Sequence, residues 1–121
     1  MIRPLEEKDI EVVCGIVNEN WKNVYAGYIN PLLLNADGCA ERIHQLKLDF
    51  ITHRLSEYVW EEQNQVSAML SFGDTADTDL AEAFEIWRIY VAPQFQKKGI
   101  GKLLLEFAEK QAKRQGYKRI V

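Results

Sequence analysis

One stretch limits what this chain can become more than any other. Phe84-Glu85-Ile86-Trp87-Arg88-Ile89-Tyr90-Val91 is followed by Pro93, a polar loop over Gln94 to Lys98, and then Gly99-Ile100-Gly101. β-Branched and aromatic residues crowd the first part, which predicts a strand over 84–91. Pro93 ends it, because proline has no N–H for a ladder. From Gly99 to about Gln115 the apolar residues Ile100, Leu103, Leu104, Phe107, Ala108 and Ala112 recur at helical spacing. Gly116 suits the left-handed position after a helix. Tyr117 to Val121 then reads as the start of another strand. A strand, a helix and a strand in direct succession make a parallel crossover, which is right-handed.

The rest of the chain supplies what that unit packs against. Ile2 opens a short edge strand stopped by Pro4. Ile10, Val13, Val17, Trp21 and Val24 mark a first helix, with Glu6, Glu7 and Asp9 at its dipole-positive start. Gly27 and Pro31 break it. A second helix follows, with Asp37 as N-cap and Cys39, Ile43, Leu46 and Phe50 on one face. Residues 56–62 read as a strand with Tyr58 and Trp60 on one side. Gln63-Asn64 is a tight turn, and Val66, Ala68, Leu70 and Phe72 alternate with Ser67, Met69 and Ser71. The element order is β-α-α-β-β-β-α-β. This predicts an α+β (mixed α/β) domain, mostly antiparallel with one parallel crossover.

Composition narrows the function classes. The chain has 121 residues and a formal charge of −3. That charge excludes an overall basic nucleic-acid binder. No apolar run approaches the roughly 20 residues that span a bilayer. The first residues lack the apolar run of a secretory signal. Cys14 and Cys39 are too few for a disulfide framework or a complete metal site, and read as buried thiols of a cytoplasmic protein. His44 and His53 stand nine apart, which does not present them together as ligands. No metal and no membrane partner is expected.

The glycine loop carries the chemistry. Gln96-Lys97-Lys98-Gly99-Ile100-Gly101-Lys102 joins a strand to a helix N-terminus. Unpaired N–H groups and the positive dipole end favour an anion there, most simply a pyrophosphate. Glycines let a ligand approach the backbone. The spacing is not that of a P-loop. Nor is it a dinucleotide fingerprint, because the third glycine position holds Leu104. In an acidic chain, three lysines within six residues stand out.

Taken together, Ile89-Tyr90-Val91-Ala92-Pro93 and Gln96-x-x-Gly99-x-Gly101 with Leu103-Leu104 closely resemble the acetyl-CoA-binding motif of the GNAT superfamily of N-acetyltransferases. The element order and Trp21-x-x-x-Tyr25-x-Gly27 agree with that resemblance. It implies a mostly antiparallel sheet, acetyl-CoA as co-substrate, and transfer of acetyl to a primary amine of a small molecule or peptide. It implies that the backbone of Ile89, Tyr90 and Val91 pairs with the pantetheine arm. Gln96, Lys97, Lys98, Gly99, Ile100, Gly101 and Lys102 would hold the pyrophosphate.

The same resemblance frames the catalytic candidates. An amine is mostly protonated at neutral pH and must lose a proton before it attacks. Glu85 is the favoured base, read as sharing its strand face with Trp87, Ile89 and Val91 and opposing Arg88 and Tyr90; Glu82 is the alternative. A strand N–H, from Val91 or Ile89, would meet the thioester oxygen. Trp21, Tyr25 and Tyr28 would wall the acceptor site. The family pattern continues past the fifth strand, so the expectation is one acetyl-CoA-binding domain, 1–121, lacking its C-terminal third. An exposed fifth-strand edge could pair two copies as a homodimer. The alternative function is a non-catalytic acyl-CoA-binding or regulatory fragment.

Overall fold

In the computed structural model, residues 1–24, 36–74, 83–117 and 119–120 are described. The elements are β1 (Ile2–Pro4), α1 (Ile10–Val24), α2 (Ala36–Thr52), β2 (Ser56–Glu62), β3 (Gln65–Asp74), β4 (Ala83–Val91), α3 (Ile100–Arg114) and β5 (Arg119–Ile120). The five strands form one sheet in chain order. β1 to β4 pair antiparallel, and β5 joins β4 in parallel at Ala83–Arg119 and Phe84–Ile120. The expected mixed α/β architecture is the observed one.

β3 is the centre of the sheet, and residues 67–72 are buried on both faces. Ala68, Leu70 and Phe72 meet Phe84 and the α3 row Ile100, Leu104, Ala108 and Ala112. Met69 on the other face meets Val59, Val13, Cys14 and Val17 of α1, and Leu46 of α2. The α3 row repeats every fourth residue, which is one helix face. Leu103, expected to face inward, lies off that row and is 44% exposed. Phe107 reaches the core at its edge, with its ring 4.7 Å from that of Tyr58. Gly116 takes φ +79°, and the amides of Gly116 and Tyr117 close the helix on Lys113 O and Ala112 O. α2 begins at Ala36, so Asp37 falls in its first turn rather than at its cap. The turn behaves as its residues suggest: Gln63 and Asn64 both have positive φ.

Two β-bulges overturn the simple alternation. Trp60 pairs with Ala68 and Glu61 with Val66, so Ser67 is an extra residue. Val66 is thereby turned from the face of Ala68 and Leu70 to that of Met69. In β4, Ser71 pairs with Arg88 and Phe72 with Ile86, so Trp87 is extra. The period of two is reset at each bulge. Glu85 therefore lies on the face of Arg88 and Tyr90, opposite Ile89 and Val91. This corrects the expectation drawn from unbroken alternation.

Candidate cofactor and acetyl-transfer site

The site is built from the open edge of β4 and the loop that follows it. Ala92 N donates to Ser67 O at 2.8 Å. In an antiparallel ladder such hydrogen-bonded positions alternate. Ala92, Tyr90 and Arg88 therefore turn their backbone groups toward β3. Ile89 and Val91 turn theirs away from it. Beyond Phe84 no described strand pairs with this edge. Tyr90, expected to contribute its backbone to a ligand, is committed to the ladder opposite Met69. Ile89 and Val91 have the expected geometry for an added strand.

The loop offers a second set of unspent donors. Gln96 N reaches Pro93 O at 3.3 Å, and Leu103 N reaches Gly99 O at 3.1 Å. Between them, the amides of residues 97 to 102 have no backbone partner among the described residues. Six consecutive N–H groups at a helix start form an anion cradle. Gly99 holds φ +86°, where a side chain is strained. A Cβ on Gly99 would meet nothing within 4 Å, and one on Gly101 would touch only Val91 at 3.9 Å. The chain itself leaves room above both glycines. A ligand phosphate lying against the backbone fits that room. Lys97, Lys98 and Lys102 are exposed around it, and Lys98 Nζ also sits over the Phe95 ring at 5.4 Å.

A polar cluster lies under α2, on the Glu85 face of the sheet. Asp49 is 1% exposed and accepts from Arg54 Nε at 2.9 Å, Arg88 Nη2 at 2.6 Å and Gln45 Nε2 at 2.9 Å. Burial raises its pKa, but those three hydrogen bonds outweigh burial and hold the carboxyl below its ordinary value. Glu57 accepts from Ser71 Oγ at 3.1 Å and lies 3.5 Å from Arg88 Nη1. Burial dominates there and pushes Glu57 up. Arg54 lies 4.5 Å from the Trp87 ring centroid, and Trp87 Nε1 donates to Asp74 O at 3.2 Å. The bulge is thus pinned from both sides. The charge of Glu85 acts on Arg54, so this carboxylate belongs to the same cluster.

The remaining expected residues divide simply. Tyr25, Tyr28 and Glu82, and the side chain of Trp21, lie outside the described residues. Gln96 turns its amide nitrogen inward, to Asn20 Oδ1 at 3.1 Å and Val91 O at 3.0 Å. Sequence reasoning missed Asn20, Asp49 and Glu57. Asn20 carried a usable signal: it is a polar residue on the apolar stripe Val13, Val17, Asn20, Val24. Among the described residues there is no cluster of three or more metal-ligating side chains. No described helix is long and apolar enough to cross a membrane.

An open strand edge running into a glycine-rich anion cradle is the equipment of an enzyme that binds a long phosphorylated acyl carrier. The sequence model of the Acetyltransferase (GNAT) family matches residues 18–121, and the chain belongs to that family. A spermidine N(1)-acetyltransferase from Thermoplasma acidophilum is 32% identical over 124 residues, spanning 95% of this chain and 71% of that protein. Among solved structures, the PaiA N-acetyltransferase of Thermoplasma acidophilum in complex with coenzyme A superposes with a TM-score of 0.79 at 24% identity, over 97% of this chain and 74% of that one. An N-acetyltransferase from Staphylococcus aureus gives 0.77 at 26% identity, over 99% and 70%. A Brucella melitensis GNAT acetyltransferase with acetyl-CoA gives 0.74 at 18% identity, over 99% and 72%.

Proposed function

We propose that this N-acetyltransferase moves the acetyl group of acetyl-CoA to a primary amine of a small polycation such as spermidine. The observation that carries the cofactor half is the run of unpartnered amides from 97 to 102, continuous with the outward backbone of Ile89 and Val91. Acetyl-CoA supplies the acyl group as a thioester: the amine nitrogen forms the new C–N bond, the C–S bond breaks, and coenzyme A leaves as a thiolate that takes up a proton. The amides of 97 to 102 bind its pyrophosphate, and Lys97, Lys98 and Lys102 add attraction that solvent weakens. Glu85 accepts the proton that the attacking ammonium must shed, directly or through water. An outward N–H of β4 stabilises the carbonyl oxygen as it gains charge. Counted along β3, which carries no extra residue there, Val91 (opposite Ala68) lies about 17 Å along the strand from Glu85 (opposite Gly73) and Ile89 (opposite Leu70) about 10 Å. Ile89 N–H is the better companion to Glu85. Val91 N–H then serves the pantetheine arm.

The polycation acceptor is supported by the curated relative named as a spermidine acetyltransferase. Thiol release from acetyl-CoA across polyamines, amino acids, aminoglycosides and peptides tests it. Turnover is expected with spermidine and to fall at least tenfold in Glu85→Gln. Turnover with a peptide amine alone would overturn the acceptor. Calorimetric CoA binding without turnover on any amine would favour the non-catalytic role.

A further inference from the structure

We propose that Asn20 is a positioning residue of the cofactor site, acting through the carbonyl of Val91. Asn20 is 6% exposed, in a helix where asparagine is a poor former. Its Nδ2 donates to Ile16 O at 3.0 Å, within α1, and to Val91 O at 3.0 Å, at the end of β4. Its Oδ1 accepts from Gln96 Nε2 at 3.1 Å, and that same nitrogen donates to Val91 O at 3.0 Å. Three hydrogen bonds close a triangle between a helix, a strand end and the cofactor loop.

The triangle edits what the β4 edge can offer. Ile89 and Val91 both face outward, so an unmodified edge would present two donors and two acceptors. The amides of Asn20 and Gln96 fill the Val91 carbonyl from the protein side. The edge is left with the N–H groups of Ile89 and Val91 and the carbonyl of Ile89. An extended ligand amide can then pair in one way, giving its N–H to Ile89 O and taking Val91 N–H on its own oxygen. A free Val91 carbonyl would offer the ligand N–H a competing acceptor about 7 Å further along, held by one hydrogen bond because Pro93 has no N–H to complete the pair. Asn20 thereby fixes how deep the arm runs and where the acyl carbon stops. Gln96 shares the task by tying the cradle to the same atom.

This inference rests on the acetyl-CoA reading, and calorimetry with CoA separates the two. The proteins are wild type, Asn20→Leu, Gln96→Leu and the double variant, each titrated well below its unfolding midpoint. Each single change is expected to weaken CoA by about tenfold, the order of one lost hydrogen-bond tie. The double variant should be no weaker than the weaker single one, because both act on one carbonyl. In turnover, KM for acetyl-CoA should rise while KM for the amine stays within about twofold, a split that loss of helix packing alone would not produce. If Asn20→Leu does not fold, Asn20→Asp keeps the size and removes the donor, and the same weakening is expected. A folded Asn20 variant that binds CoA like wild type overturns the proposal. Wild type that takes no CoA overturns the acetyl-CoA reading itself.

Discussion

The two faces of the sheet are packed by different rules. Under α3 the contacts are apolar throughout: Ala68, Leu70, Phe72 and Phe84 lie against Ile100, Leu104, Ala108 and Ala112. The Phe72 ring stands 4.7 Å from Phe84 and 5.6 Å from Tyr58. Under α1 and α2 the apolar cluster shares its space with Asp49, Glu57, Ser71, Arg88 and Asn20, all buried or nearly so. A core that contained only stability requirements would not carry that polar load, because each buried polar group must be matched. The polar face is where Glu85, the β4 bulge and the tie to Val91 meet. One side of the strand is packed by apolar contacts alone, and the other by an apolar cluster interleaved with hydrogen-bonded polar groups.

The largest test of that division is Phe72→Ala. It should cost about 3 to 5 kcal/mol in denaturant unfolding, the usual range for a buried aromatic, with CoA affinity unchanged in what remains folded. Next is Asp49→Asn, which deprives Arg88 of a carboxylate. A fully buried pair would lose about 3 to 5 kcal/mol, and the 43% exposure of Arg54 lowers the expectation to about 2 to 3. If the polar face serves function, this variant should also lose turnover out of proportion to its lost stability. Gly99→Glu should cost only about 1 to 2 kcal/mol from a side chain at positive φ, yet abolish CoA binding by placing bulk and charge in the cradle.

The smallest test is the pH profile of stability. Asp49 and Asp9 have depressed values in the fold, Asp9 chiefly through hydrogen bonds from Arg3 at 2.7 and 2.9 Å. Their contribution is present above the ordinary aspartate value of 3.8 and is lost as pH falls below it. Glu57 is raised above 4.5 by burial, so its contribution runs the other way. The folded state holds that proton longer, and stability declines as pH rises through the window above 4.5. Glu57→Gln should flatten the second slope and leave the first. A profile unchanged by that substitution would show that the polar face is less buried than its contacts imply.

How much of this was legible in the sequence depends on the range of the forces concerned. The hairpin turn at Gln63-Asn64 and the helix stop at Gly116 are set by residues a few positions apart, and each appeared where its residues pointed. The cofactor loop was readable for the same reason: a strand, a proline, two glycines and a helix start sit within one contiguous stretch. Glu85 was read on the wrong strand face, because the bulge at Trp87 is invisible within its own strand. Asn20 went unremarked because its partners are 71 and 76 residues away.

By itself, the sequence determined the elements and their order, because backbone preference and side-chain period act locally. Only the tertiary structure decided which face each side chain took. Ser67 and Trp87 are extra residues only relative to the strands opposite them, and nothing in either strand alone counts its partner. Those two insertions turned Val66 into one core and Glu85 toward Arg54. The Val91 carbonyl likewise found one of its two donors, Asn20, through the approach of α1, a contact that exists only once the sheet has formed.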